Sequence, residues 1–84
     1  MYEVIFDEEA IDFLNTLPKE IKERIFKKII SSKENPLHFF ERLTSRKEYK
    51  LRVGDYRIIA DIDPGQKKIR IILAGHRKNV YVNI

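Results

Sequence analysis

The stretch YKLRVGDYR, residues 49–57, decides how this chain is read. Apolar and basic residues alternate from Tyr49 to Val53, Gly54-Asp55 intervenes, and the pattern resumes at Tyr56-Arg57. Alternation at period two marks a half-buried strand, and a Gly-Asp pair between two such runs marks a tight hairpin. Glycine at the first central position suits a type II′ turn, whose twist matches that of the flanking strands. A two-residue loop then sets Val53 opposite Tyr56, Arg52 opposite Arg57 and Leu51 opposite Ile58. Opposed residues share a face, so Tyr49, Leu51, Val53, Tyr56, Ile58, Ala60 and Ile62 read as core. Lys50, Arg52 and Arg57 fall on the other face. Like charges directly across a ladder are destabilising. Their retention points to a use for positive charge, with an anionic ligand as the expected target.

The rest of the chain builds outward from this hairpin. Tyr2, Val4 and Phe6 form an opening strand, followed by Asp7 as N-cap and Glu8-Glu9 at the positive end of a helix dipole. Ala10, Phe13, Leu14 and Leu17 recur at helical spacing until Pro18 ends the run and opens a second helix. In that helix Ile21, Ile25, Phe26, Ile29 and Ile30 make the apolar stripe, with Glu20–Arg24 and Glu23–Lys27 as i,i+4 pairs on the solvated side. Leu37, Phe39, Phe40 and Leu43 are expected to anchor an irregular segment to the core. Asp63-Pro64-Gly65-Gln66 reads as a type II turn into a strand from Lys68 to Ala74. In that register Asp61 faces Lys68, Ile59 faces Arg70, and Ile69, Ile71 and Leu73 lie on the core face. Arg70 thereby joins the basic face. The order β-α-α-β-β-β gives an α+β two-layer fold. An N-terminal strand and an αα-hairpin cover one face of a mainly antiparallel four-stranded sheet, and the other face stays open.

Eighty-four residues make one domain spanning 1–84, able to bury roughly 60–65% of its unfolded surface. Without cysteine there is no disulfide framework or thiolate metal site, as suits a reducing cytoplasm. The longest apolar run is Ile71 to Gly75, too short for a signal peptide or membrane span. The net charge of +4 is unevenly placed. Residues 1–45 carry seven Lys/Arg against nine Asp/Glu, whereas residues 46–84 carry ten against four. A polyanionic partner is expected at the second half.

No metal constellation, phosphate-binding glycine loop or nucleophile motif is present in the sequence. Asp61 and Asp63 are expected on opposite faces, which disfavours a paired-carboxylate site. His38, a residue type that titrates near neutrality and so suits catalysis, reads here as a loop histidine with no role in chemistry. What remains is Lys50, Arg52, Arg57, Arg70 and Arg77, with Tyr81 close in sequence. Arginine fits a phosphate bidentately and keeps its charge at ordinary pH. Such a cluster binds a phosphodiester and can also stabilise extra charge on a phosphorane-like transition state. In RNA the 2′-hydroxyl is an internal nucleophile, so cations plus a proton-transfer group suffice without metal or cofactor. Tyr81 as a base needs neighbouring cations to lower a tyrosine's ordinary pKa of about 10. The plainer readings pair Arg57 with Asp55 or Asp61 and make Lys50 a solvated surface group.

These pieces resemble the RelE/ParE family of small toxins from toxin–antitoxin systems, most closely the RelE branch. The resemblance runs through YEVIF, LPKEI, NP with its F..L segment, YKLRVGDYRIIADID and the closing GHR..VY. It implies a RelE-like fold and a ribosome-dependent endoribonuclease that cuts mRNA in the decoding site. It implies a cognate RelB-like antitoxin, in a toxin–antitoxin heterotetramer, that covers the basic surface. Catalytic roles carry onto Lys50, Arg52, Arg57, Arg77 and Tyr81, and RNA contacts onto Lys50, Arg52, Arg57, Arg70, His76 and Lys78. His76 either shares the proton transfer or stacks and packs at the strand end. The hairpin is tighter, and the Arg77–Tyr81 spacing shorter, than in some members. A ParE-like inhibitor of DNA gyrase and a noncatalytic RNA-binding module are the alternatives.

Overall fold

In the computed structural model, which describes residues 1–76, the chain runs through eight elements. They are β1 (Glu3–Phe6), α1 (Glu8–Leu14), α2 (Lys19–Ser31), α3 (Pro36–Phe39), β2 (Glu41–Arg42), β3 (Tyr49–Val53), β4 (Tyr56–Asp63) and β5 (Lys68–His76). The sheet has five strands in the order β1-β5-β4-β3-β2, one more than expected because the two-residue β2 adds an edge. β1 runs parallel to β5, and the other pairs are antiparallel.

The β3–β4 hairpin has the register that its sequence dictates, with Val53 opposite Tyr56, Arg52 opposite Arg57 and Leu51 opposite Ile58. Gly54 has φ +59° and Asp55 has no positive φ, the sign pattern of a type II′ turn. Leu51, Ile58, Ile69 and Ile71 project from the sheet onto Ala10 and Leu14 of α1 and Ile25 and Ile29 of α2, all at most 1% exposed. Phe6 and Phe26 close one end of this core with ring centroids 5.3 Å apart.

The β4–β5 hairpin departs from expectation. Asp63 faces Lys68, Asp61 faces Arg70, and the loop is Pro64 to Lys67. The Asp63 carboxylate accepts a hydrogen bond from the Gln66 amide at 3.1 Å, and Lys67 leaves the turn in the left-handed region at φ +54°. Further along, Ile59 faces Leu73 while Ala60 faces Ile71, so Ile72 is an extra residue in β5. This bulge exchanges the faces of the residues beyond it. Leu73, expected in the helix-side core, instead lies with Ile59 on the opposite face, where Leu43 and Ile72 pack against them. Ala74 takes the core position. The face away from the helices is therefore partly covered by its own small apolar cluster. Asp61 and Asp63, two residues apart on one strand, share that face rather than pointing apart.

Two further anchors are reassigned. Leu37 is 52% exposed and Ile30 54% exposed. The single turn of α3 directs Pro36 inward and is followed by the buried Phe40, which leaves Leu37 outside. Asp7 occupies the N-cap of α1, but its side chain makes no capping bond and reaches Arg70 instead.

Candidate nucleic-acid interface

β3 is a half-covered edge strand. β2 pairs only with Tyr49 and Lys50, so among the described residues the outer edge of Leu51 to Val53 has no strand partner. Strand alternation turns Lys50 and Arg52 away from the helices, and the hairpin register sets Arg57 directly across from Arg52. α2 and α3 approach the same edge from the other side. Between them lies an open cavity of about 320 Å³ whose polar lining is Lys28, His38, Glu41, Lys50, Arg52 and Arg57. The sheet-face cations thus open onto a cleft at the sheet edge.

Its electrostatics are strongly one-sided. Glu41 places Oε2 3.8 Å from Lys50 Nζ, an exposed and loose pair. Arg57 is held by the hairpin backbone, its Nη1 donating to the carbonyl oxygens of Gly54 at 3.3 Å and Tyr56 at 3.2 Å. Among the described residues no carboxylate lies within ion-pair distance of Arg52 or Arg57, so pairing of Arg57 with Asp55 or Asp61 does not occur. Among the described residues Lys28 also has no carboxylate within ion-pair distance, and the three cations together suit a phosphate.

The remaining residues singled out from the sequence are dispersed. Arg70 shares the outward face but stands five positions along β5 from Gly75, the partner of Arg57, roughly 15 Å away at the strand rise. Its Nε donates to Asp7 Oδ1 at 2.8 Å, and that hydrogen bond, with the charge of Asp7, raises the arginine's pKa above its ordinary value. Arg70 is thus occupied at the far end of the sheet. His76 lies across from Tyr56 on the helix side, with the rings edge-on and centroids 5.6 Å apart. Arg77, Lys78 and Tyr81 lie outside the described residues. Sequence reasoning passed over Lys28 and set His38 aside as a loop histidine. Pro36 at the first position of α3 sets the short turn that carries His38 to the cleft. Lys28 belongs to a helix whose charges read as self-neutralising.

Among the described residues no three His, Asp or Glu side chains gather as a metal site. No described helix is long and apolar enough to cross a membrane.

Comparison with known proteins places this architecture in a class of small toxins. The model of a family described as the ParE toxin of type II toxin–antitoxin systems, parDE, matches residues 4–81, and the chain belongs to that family within the RelE/ParE superfamily. Among solved structures, it is similar to a chain of the RelBE2 toxin–antitoxin complex of Mycobacterium tuberculosis. The TM-score is 0.82 at 25% identity, over 90% of this chain and 98% of that one. A chain of the intact E. coli RelBE complex gives a TM-score of 0.78 at 22% identity, over 90% and 96% of the two chains. The archaeal RelE–RelB complex of Pyrococcus horikoshii OT3 gives 0.75 at 25% identity, over 90% and 94%. No curated protein sequence matches. The chain is a toxin of a type II toxin–antitoxin system.

Proposed function

We propose that this toxin is a ribosome-dependent, metal-independent endoribonuclease that cuts mRNA in the decoding site. The observation that carries the reading is the cleft at the β3 edge, where Arg52 and Arg57 lack carboxylate partners among the described residues. In the reaction the 2′-oxygen forms a bond to the adjacent phosphorus while the bond to the 5′-oxygen breaks. The 2′-hydroxyl proton passes to a base, and the departing 5′-oxygen takes up a proton. Arg52 and Arg57 bind the non-bridging oxygens and stabilise the charge that builds on them, with Lys50 adding to the field. By family resemblance Arg77 completes the cationic set, and Tyr81 or His76 serves the proton transfer. The solved complexes it resembles contain RelB chains, which supports a RelB-like antitoxin as partner. The site of action is then the cytoplasm.

The test is to incubate the protein with programmed ribosomes and map the mRNA ends. Cleavage by the native chain, abolished in the combined Arg52→Ala and Arg57→Ala variant, is expected. Intact message with the native chain, or cutting unaffected by the double variant, refutes the proposal. The matching family model is that of ParE, which favours one second reading, inhibition of DNA gyrase. A supercoiling assay with purified gyrase separates the two, because a gyrase inhibitor does not need a phosphodiester site.

A further inference from the structure

The positive surface continues past Arg52 onto α2. Arg24, Lys27 and Lys28 stand at i, i+3 and i+4 on the helix, all exposed. With Arg52, Ser31 and Gly54 they line a second open cavity of about 380 Å³, which has no Asp or Glu among its described lining residues and shares Lys28 and Arg52 with the first. Helical spacing offers Glu20 to Arg24 and Glu23 to Lys27, but neither pair forms. Glu23 lies 4.0 Å from Lys19 instead. Among the described residues none of Arg24, Lys27 and Lys28 has a carboxylate within ion-pair distance. Arg24 leans over the hairpin turn, its Nη2 lying 3.5 Å from where a Cβ on Gly54 would be. Like charges at these spacings oppose one another. Here three of them crowd toward a fourth across a groove between a helix and a bare strand edge.

We propose that Arg24, Lys27 and Lys28 form a second phosphate subsite, which holds the backbone of the same single-stranded RNA next to the phosphate bound at Arg52 and Arg57. The inference rests on the RNA reading above and deepens it. Arg52, common to both cavities, is the bridge between successive phosphates. Among the described residues the groove is lined by flexible cations and backbone with no aromatic platform, a lining that follows the strand rather than reading its bases.

The experiment measures fluorescence anisotropy of labelled 2′-O-methyl RNAs, three and eight nucleotides long, over 50 to 200 mM salt. The native chain is compared with the Arg24→Gln and Lys27→Gln double variant, which spares every residue lining the first cavity, and with Arg57→Ala. Each phosphate contact on a single strand contributes about 0.7 to the slope of log K against log salt. Loss of two contacts lowers the slope for the eight-mer by about 1.4 and its affinity by about 25-fold at 0.1 M salt. The three-mer, filling only the first subsite, is unaffected by the double variant, whereas Arg57→Ala weakens both RNAs. An eight-mer bound equally well by the double variant overturns the second subsite while leaving the RNA reading intact. Equal losses for both lengths also overturn it, because a diffuse field rather than a subsite is then at work. If the double variant keeps its RNA affinity but loses binding to a poly-glutamate peptide, the surface belongs to an acidic protein segment and the proposal fails. A native chain that binds neither RNA also overturns the second subsite, and the programmed-ribosome assay then decides the RNA reading separately.

Discussion

The cross-strand pair Arg52–Arg57 makes a quantitative prediction, because its cost to folding can be calculated and then removed. The two residues are directly opposed in the β3–β4 ladder, and neither has a carboxylate partner among the described residues. For unit charges at about 7 Å, of the order of the spacing between ladder neighbours, the repulsion is about 0.6 kcal/mol in unscreened water. Screening leaves about 0.5 kcal/mol at 10 mM salt, about 0.25 at 0.15 M and less than about 0.1 at 1 M. Arg52→Gln removes this term, and Arg52→Glu, nearly isosteric with the glutamine, converts it to an attraction of similar size. Stability should therefore rise through the series Arg, Gln, Glu by about 1 kcal/mol in total at 10 mM salt, or roughly 4–8 °C in melting temperature. Urea titrations at the three salt concentrations measure the effect. The gain should shrink by about half at 0.15 M and vanish at 1 M, while RNA affinity falls along the same series. A fall in stability from Arg to Glu at low salt, or a gain indifferent to salt, would refute the reasoning.

Three further perturbations test the fold. Ile58→Ala, at a position with 0% exposure, should cost about 2–5 kcal/mol, whereas Ile30→Ala, at 54% exposure, should change stability by less than about 0.5, both read by urea unfolding. Gly54→Ala should destabilise by about 1–2 kcal/mol through its φ of +59°. Its Cβ would meet Arg24 at an ordinary 3.5 Å, so Gly54→Asn should recover part of the loss. Glu48 is held below the usual carboxylate range chiefly by its hydrogen bond from Arg46, Nε to Oε1 at 3.2 Å. A depressed carboxylate stabilises the fold above its unfolded pKa, and that stabilisation is lost as pH falls through the folded one. Glu48→Gln should therefore lower the melting temperature at pH 7 and leave it unchanged in strong acid.

The hairpin was legible because its turn and strand alternation specify one register together, and nothing distant is needed to decide it. The β4–β5 pairing was not. It depends on Lys67 adopting a left-handed conformation that no lysine announces, and on Ile72 bulging within an unbroken apolar run. The turn shifts the pairing by two residues, so Arg70 faces Asp61 rather than Ile59 but keeps its face, whereas the one-residue bulge at Ile72 carries Leu73 to the other face. In the site, Lys50, Arg52 and Arg57 could be read from alternation alone. The α2 cations could not, because Glu23 satisfies helical spacing with either Lys19 or Lys27. Only the folded helix shows that it lies nearer Lys19.

One feature of the sheet bears on when this toxin can become harmful. β1 has its ladder partner in β5, with Glu3 opposite Lys68, a separation of sixty-five residues. Pairings so distant in sequence form late, after the local hairpins whose loops close cheaply. During synthesis β1 emerges first and waits with an unpaired edge until almost the whole chain has been made. The β3–β4 hairpin, with its paired arginines, can form earlier, but the layer that holds α1 against the sheet cannot close before β5 arrives. A ribosome translating this message is thus well past the hairpin's codons before its product has a complete fold.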